Sequence, residues 1–257
     1  MGNIAGIGRI FFGISIAEMG LQALFYANFP YLMLPPANIH VPDALAYGLG
    51  IILAMAGAGI VFIRKNGPVS LVLGCVFLAV VCFFLVPYEF IDDSNRMHLA
   101  AWENAEKTLA LAGGAFVAAG CFPGQKPNQG AGFWERLAHI GTSIFALMIV
   151  AFSMLHFVYA KDASGYIPAW IPAHLFWMYF CGAALLGSGV AILLKIRVGL
   201  AATLLGAMIF TWFVILHVPK VINAAPDDLA GEISSAFLAL AYCGTAFMIA
   251  RSAGKSA

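Results

Sequence analysis

The chain has 257 residues, of which 62% are hydrophobic and only 10% are charged. An ordinary soluble domain carries roughly 25% charged residues, so this composition excludes a soluble globular protein. The formal net charge of +1 also gives no electrostatic footprint for binding nucleic acid.

Eight long apolar stretches follow one another along the chain. A bilayer core about 30 Å thick needs roughly 20 apolar helical residues, and each stretch is of about this length. They cover residues 8–28, 44–63, 68–87, 100–121, 137–158, 173–195, 198–218 and 229–250. Because lipid-exposed backbone must satisfy its hydrogen bonds within each segment, the sequence predicts an all-α, polytopic membrane protein with eight transmembrane helices.

The basic residues are distributed unequally between the two sides of the predicted membrane. An even number of spans places both termini on one side, and that side holds nine basic residues: Arg9, Arg64, Lys65, Lys126, Arg136, Lys195, Arg197, Arg251 and Lys255. The other side holds three: Arg96, Lys161 and Lys220. Since cytoplasmic loops are enriched in Lys and Arg, we predict a multi-pass protein of the cell inner (plasma) membrane with cytoplasmic termini.

The two halves of the chain resemble each other. Shifted by 132 positions, residues 47–87 fall on residues 179–219 with ten identities in 41 positions, among them Gly57 on Gly189 and Pro87 on Pro219. Four helices per half give both halves the same orientation, which is the parallel kind of internal repeat. We therefore divide the chain into a first four-helix repeat (residues 1–122), a cytoplasmic linker (123–135) and a second four-helix repeat (136–257).

Three segments carry a resemblance to a known family. They are the opening "GRIFFGISIAEMGLQALF", the Pro-rich loop "NFPYLMLPPANIHVPD" before the second helix, and "EKTLALAGGAFVAAG" in the fourth helix. The pattern resembles the DoxX-like superfamily of four-helix membrane proteins, here in a duplicated form. The resemblance implies a four-helix bundle in each repeat. Relatives are associated with quinone-linked sulfur oxidation, thiol redox homeostasis and cofactor maturation, and others bind sterol-like lipids.

Ionisable residues lie inside two of the predicted spans of the first half. Glu18 falls near the midplane in the first span, with Gln22 one turn further out, and Glu103, Glu106 and Lys107 fall within the outer part of the fourth span. A lone charge at the bilayer centre costs about 2.5–3.5 kcal/mol on insertion scales. We expect Glu103 and Lys107 to pair, because they are spaced i,i+4. We also expect the three residues of the fourth helix to face the first helix, where Lys107 or Gln22 would serve Glu18.

The second half places different polar residues at a similar depth. These residues, with two tryptophans nearby, are His156, His174, His217, Glu232, Trp177 and Trp212. Three interpretations are open: interfacial polar residues, a metal site, or a pocket in which His donates hydrogen bonds to a quinone and Trp stacks on it. No H-x-x-x-H or Cys-x-x-Cys spacing is present, so we predict no metal site. Tyr26, Tyr31, Tyr166 and Trp170 are most simply an interfacial aromatic belt.

Two functions, and a purely structural role, compete on these observations. The first is a quinone-associated redox subunit in which Glu18, Glu106 or His156 handles protons. Its electrons would come from a redox partner subunit, because the chain has no haem, flavin or iron–sulfur signature. The alternative is a non-catalytic protein that binds or transports a small lipid-like or organic molecule in the same pocket. The structural role is a scaffold subunit, surrounded by membrane lipids, in which the polar residues only hold helices together.

Overall fold

A computed structural model of the protein describes residues 4–34, 42–63, 65–93, 97–121 and 131–253. All regular structure in these ranges is helical. The predicted linker lies outside the described residues as far as residue 130. Its last five residues, 131–135, already belong to a helix that begins at Ala131.

Eight long helices follow the order of the eight apolar stretches. They are α1 (Ile4–Tyr26), α2 (Asp43–Phe62), α3 (Gly67–Ile91), α4 (Glu103–Gly120), α5 (Ala131–Val158), α6 (His174–Leu193), α7 (Val198–Ile222) and α8 (Leu229–Ala253). Seven of them are long and apolar enough to cross a membrane. The exception is α4, which has only 18 residues and carries three charged side chains near its start. The protein is therefore an all-helical, multi-pass integral membrane protein.

The two halves of the chain interlock. Helix α1 packs against α2 and α8, helix α5 packs against α6 and α4, and α4 and α8 also touch each other. The remaining close contacts join α3 to α4 and α7 to α8. The first helix of each half thus packs on the fourth helix of the other half. This differs from the expectation of one self-contained bundle per repeat, because the strongest contacts of α4 and α8 include helices of the opposite half.

Glycine makes these contacts between the halves possible. A Cβ atom placed on Gly244 of α8 would lie 2.5 Å from the carbonyl oxygen of Gly8 in α1. A Cβ atom on Gly113 of α4 would lie 2.8 Å from the carbonyl oxygen of Gly141 in α5. Small residues let helix backbones approach closely in membranes. Glycine therefore joins α1 to α8 and α4 to α5, at positions that lie 133 residues (Gly8 and Gly141) and 131 residues (Gly113 and Gly244) apart, each within one residue of the 132-residue repeat.

Helices α3 and α7 share an irregularity. Residues Val81–Leu85 of α3 and Phe213–His217 of α7 form a π-helical turn, and each turn is followed by Val-Pro. Proline has no N–H to donate, and its ring clashes with the carbonyl group four residues earlier, so the preceding turn widens into a π-bulge. The two bulges are 132 residues apart and shift the register of the C-terminal end of each helix.

We expect a side chain at Gly244 to separate the two halves. Gly244→Leu would drive α8 away from the α1 backbone, and overpacking of this kind costs about 1–3 kcal/mol or more. Gly187→Leu is the matched control, because a Cβ atom at Gly187 meets nothing within 4 Å. Thermal unfolding of the detergent-purified variants should show a clear loss of stability for Gly244→Leu alone. Equal stability of the two variants would contradict the close α1–α8 contact.

Candidate functional site

A large apolar cavity lies between α6 and α7 in the second half and is open to the surface of the protein, where Trp170 is 70% and Phe180 48% exposed. Its volume is about 490 Å³. It is lined by Trp170, Ile171, Pro172, Trp177, Phe180, Met208, Thr211, Trp212 and Ile215. The residues from α7 recur at intervals of three and four, so they share one face of that helix. The segment before α6 closes one side of the cavity.

Aromatic rings form the walls of this cavity. The rings of Trp177 and Trp212 meet edge to face, with centroids 6.1 Å apart and an interplanar angle of 76°. Trp177 makes a similar contact with Phe180 at 5.8 Å. Edge-to-face pairs at this separation are a favourable aromatic arrangement. The walls are therefore held in place by their mutual contacts before any ligand enters.

Two polar groups of the lining are already paired within the protein. The Thr211 hydroxyl donates to the Ala207 carbonyl oxygen at 2.9 Å, and the Trp177 indole N–H donates to the Pro172 carbonyl oxygen at 3.2 Å. A molecule in the cavity would thus be held mainly by apolar and aromatic contacts.

The cavity belongs to the second half of the chain. At the positions 132 residues earlier, Trp177 is replaced by Leu45, Phe180 by Gly48 and Trp212 by Val80. The first half therefore has the corresponding helices without the aromatic walls. Of the residues that the sequence predicted for a ligand site, Trp177 and Trp212 line the cavity. Trp170, interpreted from sequence as part of an interfacial belt, lines it as well.

The three predicted histidines do not meet at one point. His156 packs on α6 where that helix has Gly182, and its Nδ1 atom lies 2.8 Å from the carbonyl oxygen of Phe152 in its own helix. His174 is the first residue of α6, and His217 ends the π-helical turn of α7. Within the described ranges, no three His, Cys, Asp or Glu side chains are grouped as metal ligands would be.

His217 and Glu232 come together around Lys220, a residue that the sequence places just after the predicted span 198–218. The Lys220 ammonium lies 3.0 Å from a Glu232 carboxylate oxygen and 4.5 Å from the centre of the Tyr166 ring. His217 is close enough to both charges to interact with them. This outer cluster joins the end of α7 to the start of α8 and to the segment that follows α5.

A related cluster lies at the head of α4. Lys107 pairs with Glu103 at 2.6 Å, which confirms the expected i,i+4 pair, and lies 5.9 Å from the centre of the Tyr31 ring. The Tyr242 hydroxyl of α8 donates to the Lys107 carbonyl oxygen at 3.1 Å. One carboxylate oxygen of Glu106 is buried without a partner among the described residues.

The expected partners of Glu18 are engaged elsewhere. Lys107 is bound to Glu103, and the Gln22 amide donates to the Ala230 carbonyl oxygen at 3.1 Å and accepts from the Ser234 hydroxyl at 2.7 Å. Neither Lys107 nor Gln22 therefore serves Glu18 in the described part of the chain. The physical reason is that α1 packs mainly on α2 and α8, so Gln22 meets α8 of the other half.

Sequence reasoning missed two buried groups that the fold brings inside. Tyr242 is buried between α4 and α5, where its ring stacks on Phe152 with centroids 5.6 Å apart. Glu89, near the outer end of α3, is only 3% exposed. Its position two residues after Pro87, within an apolar stretch, was the signal available in the sequence.

Comparison with known proteins adds no assignment. No family model, no curated protein and no solved structure matches this chain.

We expect the Lys220–Glu232 pair to stabilise the junction of α7 and α8. The two side chains are only 30% and 25% exposed, so removing one leaves a poorly solvated charge. Lys220→Met should destabilise the protein by about 1–3 kcal/mol. Lys161→Met, at an exposed lysine without an ion pair among the described residues, is the control. Thermal unfolding of Lys220→Met, Glu232→Leu and the double variant would measure the coupling, and additive losses would contradict a direct interaction.

Proposed function

We propose that this integral membrane protein binds a small lipid-like or organic molecule in the aromatic cavity between α6 and α7. The observation that carries the proposal is the cavity itself, about 490 Å³ in volume and walled by three tryptophans and a phenylalanine. Ligand sites typically have volumes of roughly 300–1,000 Å³ and mostly apolar linings. The cavity has a volume within this range and a mostly apolar lining.

The chemistry of the lining selects the class of ligand. The Thr211 hydroxyl and the Trp177 indole of the walls are hydrogen-bonded within the protein, so a head group that needs several hydrogen bonds would find few. The favoured ligand is therefore a hydrocarbon chain, an isoprenoid or a flat apolar ring.

A quinone is the more demanding member of this class. Its isoprenoid tail would fit the apolar walls, but its head would need hydrogen-bond donors in addition. His174, His217 and Glu232 are not among the lining residues. A redox-associated role would further require a partner subunit to supply electrons. We therefore rank binding or transport of an apolar molecule above the quinone-linked role.

We propose the same topology that the sequence predicts, with eight crossings and both termini in the cytoplasm of a cell inner membrane. Two observations support a duplicated, DoxX-like architecture. The π-helical turns before Pro87 and Pro219 recur 132 residues apart. The Phe116 ring packs on Gly74 as the Phe247 ring packs on Gly206, again at matching positions. Both observations support the proposed two-repeat division of the chain.

Reporter fusions at the two termini should test whether α4 crosses the membrane. Eight crossings place both termini on the cytoplasmic side, where green fluorescent protein folds and alkaline phosphatase stays inactive. If α4 does not cross, seven crossings place the termini on opposite sides. An active phosphatase fusion at one terminus alone would therefore contradict the proposed topology.

We expect bromododecane to quench the tryptophan fluorescence of the purified protein in a saturable way, because three of its five tryptophans line the cavity. Thr211→Phe would fill the cavity and should weaken the apparent affinity about tenfold or more, equivalent to about 1.4 kcal/mol. The matched control is Ala79→Phe, at the position 132 residues earlier in the first half.

Decylubiquinone in the same titration separates the ligand classes. Competition with bromododecane would place both in one cavity and would strengthen the quinone-linked role. Equal weakening by Thr211→Phe and Ala79→Phe, or quenching that never saturates, would contradict a ligand site between α6 and α7.

A further inference from the structure

Glu18 is a buried carboxyl group without a partner. It lies well inside the 23-residue helix α1, and its side chain belongs to the buried set at 8% exposure. Neither of its carboxylate oxygens has a hydrogen-bond partner among the described residues. Lys107 and Arg9, two cationic side chains of this half, contact Glu103 and the Val61 carbonyl oxygen instead.

An ionised carboxylate in this position has no compensating interaction. Burying an isolated charge in an apolar medium is so costly that the group takes up a proton instead. The cost on insertion scales, about 2.5–3.5 kcal/mol at the centre of a helix, is removed when the carboxylate is neutralised. We propose that Glu18 is a proton-binding site near the membrane midplane that exchanges its proton with the outer side along the contact between α1 and α8.

Two contacts on the same face of α1 indicate the direction in which Glu18 points. Phe11 and Gln22 are seven residues before and four residues after Glu18, so all three lie on one face. Phe11 stacks on Phe210 of α7 with centroids 5.6 Å apart, and Gln22 is hydrogen-bonded to α8. Glu18 therefore faces the side where α7 and α8 pack on α1.

A small cavity lies along the same stretch of α1, and Glu18 itself is not among its lining residues. Its volume is about 10 Å³, and its lining includes Ser15 and Met19, the neighbours of Glu18 on α1, together with Ser234 of α8. This volume is about that of one water-sized probe. A single water there would lie next to two hydroxyl groups, one on each helix, and would connect the two sides of the α1–α8 contact.

Polar groups continue from this cavity toward the outer side. Gln22 and Ser234 form a hydrogen-bonded pair one turn further out, and Glu232 and Lys220 of the outer cluster come next along α8 and α7. The buried Nδ1 atom of His217 has no partner among the described residues. In the opposite direction, Gly8 and Gly244 bring the two backbones into direct contact and leave no room for water.

Few other charged or titratable groups surround Glu18. Helix α2 meets α1 through Gly50, Ala54 and Gly57, and its ionisable residues, Asp43 and Tyr47, lie near its outer end. Helices α7 and α8 contribute the following groups: His217, Lys220, Glu232, Tyr242, Cys243 and Arg251. None of them forms an ion pair with Glu18 in the described part of the chain. The exchange is a simple proton transfer, in which the carboxylate gains or loses one proton and no other bond changes.

Infrared spectroscopy of the protein in liposomes at neutral pH tests the proposal. The wild-type protein should show the carbonyl stretch of a protonated carboxylic acid, and Glu18→Gln should lose one carboxyl group's intensity from this band. Glu103→Gln is the control, because Glu103 is 46% exposed and paired with Lys107, so the band should stay. An unchanged band in Glu18→Gln overturns the proposal. If that variant does not fold, Glu18→Asp must instead shift the frequency of the band.

Exchange into D₂O tests the route. The band should shift as the carboxyl proton is replaced, and Gln22→Leu or Ser234→Ala should slow this shift about fivefold to tenfold, as expected for the loss of one hydrogen bond in the path. Ser153→Ala is the matched control, at a buried serine of α5 bonded within its own helix. If both Gln22→Leu and Ser234→Ala exchange at the wild-type rate, the outward route is overturned. This outcome is independent of ligand binding between α6 and α7.

Discussion

The direct backbone contact between the two halves is the constraint on which the rest of the structure depends. Glycine at Gly8 and Gly244, and again at Gly113 and Gly141, allows α1 to lie on α8 and α4 on α5. In a bilayer such contacts replace the hydrophobic driving force, since lipid tails are as apolar as leucine. Any polar side chain that lies on these faces becomes trapped between helices, which is the position of Glu18 and Gln22.

The same packing leaves space elsewhere. Helices α6 and α7 contact each other less closely than α5 contacts α6 or α7 contacts α8, and the aromatic cavity opens between them. Its walls are built from large rings that pack on one another, so the space is defined without a ligand. Helices α1, α4, α5 and α8 are joined tightly, whereas α6 and α7 leave a space between them. This arrangement is compatible with a protein that takes molecules from the surrounding lipid.

Each half has a similar group of a tyrosine, a lysine and a glutamate at one end of its helices, built from different positions. In each, a tyrosine outside the long helices lies over a lysine that pairs with a glutamate at the head of the fourth helix. The three residues are Tyr31, Lys107 and Glu103 in one half, and Tyr166, Lys220 and Glu232 in the other. The lysine comes from α4 in the first case and from α7 in the second. The segments that carry the two tyrosines are thereby fastened to the helices, and in the second half the aromatic cavity lies next to this segment.

The sequence by itself determined that this is a helical membrane protein, and it placed the eight helices to within about six residues. It also determined the i,i+4 pair of Glu103 and Lys107. These features depend on local composition and helical spacing. It also singled out Trp177 and Trp212. Only the tertiary structure decided which helices meet, because hydropathy fixes the depth of a residue but not the direction in which it faces. That is why Glu18 lost its expected partners, why the histidines stayed apart, and why the first helix of each half packs on the fourth helix of the other.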